Sequence, residues 1–373
     1  MTTTNKKIFI IAGEVSGDVL GGKIMREMPE NTEFVGVGGQ NMIAAGLKSL
    51  FPMSDLSVMG VFEVLGHAKT LSLRIKQTVA AIIKEKPDIV LTIDSPGFAK
   101  SVIKAVKKHS QAKTMKFYHV VAPQVWAWGA KRAGKYAKIF DKLYAFFEFE
   151  KPYFEKYGLK TVAVGHPIAD GLDKYKVVNN KEKIITLVPG SRMSEVKKLL
   201  PVFHKTVEQL VKDGYQNYKF VIPTVETTES FIKNEVSKWE VKPQLVAADE
   251  RYDVYSKTFI AVVASGTVSA ELAVMHIPAI VVYKMNPLTC LLAHILIKIK
   301  WVSLVNILMN KTIYPELLGG AANPKEITGW VKKLTLDTNR KTMIKELKSA
   351  DTKWKISQKN SAKIIADDIL NSK

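Results

Sequence analysis

Two glycine-containing turns in the second half of the chain carry residue types that bind phosphate. The first reads Val188-Pro-Gly-Ser-Arg192 and lies between an apolar run and a helical pattern. Backbone N–H groups at a helix N-terminus attract anions, and a neighbouring arginine adds a planar cationic group. Gly190, Ser191 and Arg192 are therefore candidate diphosphate ligands, although ordinary helix capping beside a surface arginine would give the same pattern.

The second turn reads Ala264-Ser-Gly-Thr-Val-Ser-Ala-Glu271. Ser265, Gly266 and Thr267 can hold a diphosphate. Glu271, in the first turns of the next helix, can accept hydrogen bonds from a ribose diol. Either turn alone is a weak signal, but two in one half of the chain favour nucleotide binding.

An aspartate ends a strand pattern in the first half of the chain. Asp94 follows the predicted strand Asp88 to Ile93. The carboxyl ends of parallel strands line the ligand crevice of an open sheet, so this carboxylate could take a proton from a hydroxyl. The alternative is a turn or helix-capping aspartate before Ser95-Pro96.

The first strand-to-helix turn reads Gly13-Glu-Val-Ser-Gly-Asp18. Its glycines would let the backbone approach a ligand, but the segment is not the G-x-G-x-x-G dinucleotide fingerprint. The pattern alone favours a plain tight turn.

Two tryptophans stand two residues apart, next to cations. Trp126 and Trp128 are followed by Lys131 and Arg132. The rings could stack on a sugar or help to hold a lipid phosphate, or they could instead plug an interface between domains.

Two apolar stretches have the composition of lipid-contacting segments. The first is Val58 to Leu65, which contains Met59 and Phe62, and the second is a helical stripe from Leu288 to Ile299 beside two lysines. Ordinary core packing is the alternative for both stretches.

The elements that must position these residues alternate between strands and helices, which predicts parallel α/β architecture. The predicted helices include Val19 to Met28, Leu71 to Lys86, Lys100 to His109 and Ser194 to Asp213. The predicted strands are Lys7 to Ala12, Phe34 to Val37, Asp88 to Ile93, Phe117 to Val121, Lys142 to Phe147, Thr161 to Val164, Ile184 to Val188, Lys219 to Ile222, Gln244 to Ala247, Phe259 to Val263, Ala279 to Tyr283 and Trp301 to Val305.

A polar, breaker-rich stretch from Gly165 to Lys183 divides the two series of strands and predicts a linker. We expect two doubly wound, Rossmann-like parallel-sheet domains that face each other across a cleft. The predicted domains are residues 1–168 and 169–351, and the C-terminal helix at 352–373 could pack on the first of them.

Composition restricts the partners and the compartment. The chain has 55 Lys and Arg against 35 Asp and Glu, a net charge of +20 that favours polyanions, anionic lipid or phosphorylated small molecules. One cysteine and seven histidines form no zinc-type cluster, so we expect no metal and a reducing, cytoplasmic location. The first apolar run, Ile8 to Ala12, is too short for a signal peptide.

Taken together, the motifs resemble those of lipid-A-disaccharide synthases, inverting glycosyltransferases of the GT-B architecture. The matching blocks, in chain order, are Gly13 to Asp18, Gly36 to Gly39, Met59-Gly60, Glu63 to Leu65, Asp94 to Pro96, Val125 to Trp128, Phe149-Glu150, Gly165 to Pro167, Pro189 to Arg192, Ser265 to Thr267 with Glu271, and Pro315 to Leu318. They cover roughly residues 8 to 320.

The resemblance implies a reaction between UDP-2,3-diacylglucosamine and 2,3-diacylglucosamine 1-phosphate that gives a β(1→6)-linked disaccharide and UDP. It implies Asp94 as general base, Arg192 and the turn at Ser265 on the diphosphate, and Glu271 on the ribose. By the same resemblance Asn306 joins the UDP site. Ser16, Asp18, Met59, Phe62, Trp126 and Trp128 form the acceptor and lipid side.

The resemblance also implies that no cofactor is needed and that the enzyme is bound peripherally to the cytoplasmic face of the inner membrane. It leaves open a homodimer, with or without exchange of the C-terminal helices. Several positions depart from the family pattern: Gly97 and Ala99 stand where many members have Asp and Asn, Glu148 and Val305 where Pro is usual, and Gly319 where Gln is usual.

Two other functions compete with this one. A GT-B enzyme that uses UDP-N-acetylglucosamine, either a transferase to a polyprenyl-linked acceptor or an epimerase, would need the same nucleotide turns. A nucleic-acid-binding protein would suit the net charge, but the positive residues are dispersed and no nucleic-acid-binding motif is present, so we expect no nucleic acid partner.

Overall fold

The computed structural model describes residues 6–56, 61–176, 183–284 and 300–372, without the side chains of 61–68 and Asp173. The chain forms two compact units. The first unit consists of the chain up to Pro167 together with the segment from Lys355 onward. The second unit is Ile168–Trp354.

The first unit is built on a parallel sheet with the strand order β2-β1-β3-β4-β5-β6. The strands are β1 (Lys7–Ala12), β2 (Glu33–Val37), β3 (Ile89–Ile93), β4 (Lys116–Val120), β5 (Lys142–Ala145) and β6 (Lys160–Ala163). The helices are α1 (Val15–Glu27), α2 (Gln40–Ala44), α3 (Val61–Glu85), α4 (Pro96–Val106), α5 (Ala133–Ala137) and α6 (Lys151–Glu155). Successive β1 side chains enter different cores, Phe9 one and Ile10 the other, so both faces of the sheet are covered.

The second unit repeats this plan with the strand order β12-β11-β10-β7-β8-β9. Its strands are β7 (Ile184–Val188), β8 (Lys219–Pro223), β9 (Gln244–Val246), β10 (Thr258–Ala264), β11 (Ala279–Tyr283) and β12 (Glu316–Leu318). The helices are α7 (Met193–Lys212), α8 (Glu226–Val236), α9 (Arg251–Lys257), α10 (Thr267–Val274), α11 (Leu304–Met309), α12 (Pro324–Thr335), α13 (Asp337–Ser349) and α14 (Asp351–Trp354).

The last helix, α15 (Ser361–Leu370), packs against α1 in the first unit. Ile365 and Ile369 are fully buried in the core there. Lys6 Nζ donates to the carbonyl of Ile369 at 2.7 Å, where a cation is favourable at the C-terminal end of a helix.

The predicted strand pattern is confirmed from Lys7 to Tyr283, but its last member, Trp301 to Val305, is wrong. That run leads into helix α11, and the edge strand is β12. A short apolar run does not distinguish a buried helix from a strand. The Glu316 carboxylate also accepts the backbone N–H groups of Val302 and Ser303, at 2.9 and 2.8 Å, and so holds the chain at the helix start.

In each sheet the chain order reverses at one place, between β1 and β3 and between β7 and β10. Ala12 is in register with Ile93, and Val263 with Val188. The loops after these strands therefore emerge side by side, at the points where open parallel sheets bind ligands. Among the described helices, none is long and apolar enough to cross a bilayer.

Candidate active site

The loop after β3 has a strained backbone. Asp94 and Ser95 have φ angles of 55° and 44°, and Val121, which follows β4, has a φ of 78°. Such conformations cost roughly 1–3 kcal/mol per non-glycine residue and cluster at functional sites. The loop after β1 lies against this one, since a Cβ on Gly13 would overlap the Ser95 side chain. The predicted base therefore lies at the reversal point of the first sheet.

Burial raises the pKa of the Asp94 carboxyl, although the backbone N–H of Ser95 donates to it at 2.9 Å and acts in the opposite direction. The pKa of Glu14 is also raised, mainly by burial and then by the charge of Asp94. A raised pKa makes the carboxylate a stronger base, because proton transfer from a hydroxyl becomes less unfavourable. Sequence reasoning gave Glu14 no role, because its nearness to Asp94 depends on strand order.

Asp18, which the sequence predicts on the acceptor side, has a carboxylate that backbone groups occupy. It is 2% exposed. Its carboxylate accepts the backbone N–H groups of Gly39, Asn41 and Met42 at 2.7, 2.9 and 3.1 Å. Burial acts to raise the pKa of Asp18, but these bonds and one from the Asn41 side chain lower it. Asp18 therefore fixes the start of α2, whereas Ser16, two residues earlier, is exposed.

The two tryptophans have different environments. Trp126 donates its indole N–H to Glu150 at 3.2 Å and meets the Phe149 ring edge-on. Trp128 is 55% exposed, and the Arg132 guanidinium lies over its ring at 3.9 Å. Only Trp128 offers a free face next to a cation. Met59 lies outside the described residues, as does the stripe from 288 to 299, and of Phe62 only the backbone is described.

In the second unit, the loop after β7 needs a glycine. Gly190 has a φ of +104°, and a Cβ there would lie 2.5 Å from the Glu195 side chain. Arg192 extends into solvent with its side chain 68% exposed, and its Nη1 pairs with Glu195 at 2.9 Å. The turn therefore presents the N-terminus of α7 together with a guanidinium that is held at one end only.

The loop after β10 leads into the N-terminus of α10. Around Gly266 there is open space. Glu271, four residues into the helix, is 8% exposed, and its Oε1 accepts the Tyr252 hydroxyl at 2.8 Å. Its Oε2 is buried and has no hydrogen-bond partner among the described residues. Burial raises the pKa of Glu271, while Tyr252 and Arg251 act to lower it. One oxygen of this carboxylate is thus fixed and the other is available.

Tyr252 and Arg251 are candidate site residues that the sequence motifs did not indicate. Tyr252 donates to Glu271, and Arg251 donates to Tyr252. The Arg251 guanidinium lies 4.3 Å from the Tyr252 ring, and the ring of Tyr175 stacks on Tyr252 at 5.2 Å. Their positions depend on how α9 packs, and no local motif signals that packing.

Asn306, which the sequence predicts to join the UDP site, has its side chain inside the protein. It is fully buried in α11, and its Oδ1 accepts the backbone N–H groups of Ile313 and Tyr314 at 2.8 and 2.9 Å. Its Nδ2 donates to the Tyr314 carbonyl and to Glu316, each at 2.8 Å. With every polar atom used, Asn306 closes the loop between α11 and β12.

Comparison with known proteins decides the family. A family model described as lipid-A-disaccharide synthetase matches residues 8–368. The chain belongs to this family. Two relatives named lipid-A-disaccharide synthase are 39% identical, from Rhodospirillum centenum, and 38% identical, from Rickettsia bellii. The first match covers 88% of this chain and 84% of the relative, and the second covers 89% of each.

Solved structures similar to this lipid-A-disaccharide synthetase family member have the same two-domain GT-B fold. A UDP-GlcNAc 2-epimerase from Neisseria meningitidis bound to UDP-GlcNAc superposes with a TM-score of 0.63 at 14% identity, covering 98% of this chain and all of that one. A UDP-N-acetylglucosamine 2-epimerase from Rickettsia bellii gives a TM-score of 0.59 at 17% identity, covering 98% and 96%. At such identities the likeness is one of fold.

Proposed function

We propose that the protein transfers the 2,3-diacylglucosaminyl group of UDP-2,3-diacylglucosamine to the 6-hydroxyl of 2,3-diacylglucosamine 1-phosphate and releases UDP. The observation that carries this proposal is the family match over residues 8–368, which includes both reversal-point loops. The activity follows from membership of the lipid-A-disaccharide synthetase family, a glycosyltransferase family of lipid A biosynthesis.

In the proposed mechanism, Asp94 is the general base. The acceptor O6 forms a bond to C1 of the donor sugar, on the face opposite the diphosphate, while the bond from C1 to the diphosphate oxygen breaks. The proton of the 6-hydroxyl passes to the Asp94 carboxylate, and the electron pair leaves with UDP. The raised pKa of Asp94, caused by its burial, supports this assignment.

On the donor side, Gly190, Ser191 and Arg192 are proposed to hold the diphosphate together with Ser265, Gly266 and Thr267. The N-termini of two helices would stabilise the negative charge that builds up on the leaving group, and Arg192 would add a cation. The unpartnered Oε2 of Glu271 supports its assignment to the ribose, because an accepted hydroxyl would satisfy a buried acceptor.

On the acceptor side, Ser16 and Trp128 are proposed to contact the sugar, and Met59 and Phe62 the acyl chains. Trp126 would act indirectly, by holding the loop that carries Trp128. A net charge of +20 supports binding to an anionic membrane surface. We propose that the enzyme is bound peripherally to the cytoplasmic face of the inner membrane. A homodimer stays a prediction for the oligomeric state.

A turnover assay in mixed detergent micelles tests the reaction. The wild type should form disaccharide 1-phosphate and UDP in equal amounts. Asp94→Asn should lower kcat by about 10²- to 10⁴-fold and leave the Kd for UDP unchanged. Glu30→Gln, which neutralises an exposed carboxylate of the same unit, is the matched control.

Two other results of this assay would change a specific part of the proposal. Conversion of UDP-N-acetylglucosamine without an acceptor would support an epimerase instead. Disaccharide formation at an undiminished rate by Asp94→Asn would remove the base assignment and leave the transfer reaction standing.

A further inference from the structure

Four cations of the first unit form a group that we call the cationic patch: Lys100, Lys104, Arg132 and Lys135. Lys100 and Lys104 are one turn apart on α4, which begins just after Asp94. Arg132 and Lys135 lie three residues apart where the chain enters α5. None of the four side chains forms an ion pair with a carboxylate of the described residues.

The charges of the patch act on one another. The pKa of Lys100 is lowered by burial and then by Arg132, Lys104 and Lys135. Mutual repulsion that is not offset by an ion pair among the described residues destabilises the fold, and a bound anion would relieve it.

The patch lies close to the proposed base. Lys100 Nζ is 5.3 Å from the centre of the Tyr136 ring. Burial raises the pKa of the Tyr136 hydroxyl, and the charges of Arg132 and Asp94 act on that pKa in opposite directions. This hydroxyl is also buried without a hydrogen-bond partner among the described residues. Stacking of Arg132 on Trp128 fixes the plane of its guanidinium, which suits the two-pronged contact that arginine makes with phosphate.

We propose that the cationic patch binds the 1-phosphate of the acceptor monosaccharide. This inference rests on the proposed function. In that acceptor, C1 carries the phosphate and C5 carries the 6-hydroxymethyl group. Both carbons are bonded to the ring oxygen. When the cationic patch binds the phosphate, the 6-hydroxyl therefore lies no more than the width of one sugar ring from the patch, where Asp94 can reach it. The patch thus selects an acceptor that carries an anion at C1.

The first experiment compares two acceptors, 2,3-diacylglucosamine 1-phosphate and the same sugar without its phosphate, in neutral detergent micelles. Lys100→Gln and Arg132→Gln should raise KM for the phosphorylated acceptor by about 10- to 100-fold, which is the loss of one charge-assisted hydrogen bond. KM for the donor should not change. On the acceptor without phosphate, wild type and variants should have equal kcat/KM. Lys108→Gln, just beyond the end of α4, is the matched control.

Equal losses of kcat/KM on both acceptors would overturn the proposal. So would a loss that appears only on vesicles of anionic lipid, since the patch would then bind headgroup phosphate. If the wild type proves inactive, the proposed function fails, and binding of soluble glucosamine 1-phosphate against glucosamine still tests the patch by calorimetry. A preference for the phosphate that disappears in Arg132→Gln supports the site, and no preference overturns it.

Discussion

Asp368, in the last helix, forms an ion pair with Lys142 of β5 at 2.6 Å, across 226 positions of the chain. It also accepts the Tyr144 hydroxyl at 2.7 Å. Lys142 is only 4% exposed, so its charge has little access to water and depends on this partner. The C-terminal helix is thus held to the first sheet by a charge as well as by apolar packing.

Asp368→Asn should lower the free energy of unfolding by about 2–3 kcal/mol, because it leaves a buried ammonium group without its counter-charge. Urea unfolding followed by circular dichroism measures the loss. Asp367→Asn is the matched control: among the described residues Asp367 pairs with the partly exposed lysines 359 and 363, and its loss should cost less than about 1 kcal/mol. Equal effects of the two substitutions would contradict the buried role of the Lys142 pair.

Glu150 should make the stability depend on pH. Burial raises its pKa to about 7, from an ordinary value of 4.5. Between these values the folded protein holds a proton that the unfolded chain has released, so stability falls as pH rises through this window. The loss is on the order of 3 kcal/mol.

The test is the free energy of unfolding at pH 5 and pH 8. Glu150→Gln should flatten the difference between the two values. Glu148→Gln, whose side chain is 61% exposed, should keep it. Identical pH dependence in wild type and Glu150→Gln would show that this carboxyl ionises normally.

Glu271→Gln should weaken UDP binding by about 10-fold or more, because a buried carboxylate is a stronger acceptor than an amide. The variant should also bind UDP and 2′,3′-dideoxy-UDP with nearly equal Kd, whereas the wild type should prefer the ribose. Titration calorimetry gives both constants, and Glu240→Gln, an exposed change in the same unit, is the control. Retention of the ribose preference in Glu271→Gln would exclude the contact.

Asn306→Asp should destabilise the second unit by about 2–4 kcal/mol, because it removes two donated hydrogen bonds and places a carboxylate against Glu316. The folded fraction should bind UDP as the wild type does, because the polar atoms of the Asn306 side chain are already hydrogen-bonded to Ile313, Tyr314 and Glu316. Thermal unfolding with and without UDP separates the two effects. A normal Tm together with lost UDP affinity would support the predicted role of Asn306 in the UDP site.

Apolar periodicity was enough to predict the parallel strands from Lys7 to Tyr283, because a strand buried on both faces appears as a continuous apolar run. It failed at Trp301 to Val305, where the hydrogen bonds of Asn306 and Glu316 favour a helix. Neither residue has a local signal, since the partners lie seven to fourteen positions away.

For the candidate site, the turn motifs placed Asp94, Arg192 and Glu271 correctly at the ends of strands or the starts of helices. For Asp18, the sequence does not show that backbone N–H groups of Gly39 and Asn41 donate to its carboxylate. The cationic patch combines side chains from two segments that are almost thirty residues apart, so only the folded chain brings it together.

The chain leaves the first unit at Pro167 and enters it again at Lys355. During synthesis, six strands of the first sheet therefore leave the ribosome long before α15, the helix that covers one of their cores. Until that helix arrives, Lys142 has no counter-ion and the apolar surface around Tyr144 is open. The first unit is completed only after the whole second unit has been translated. During this interval the uncovered apolar surface is available for a chaperone to bind.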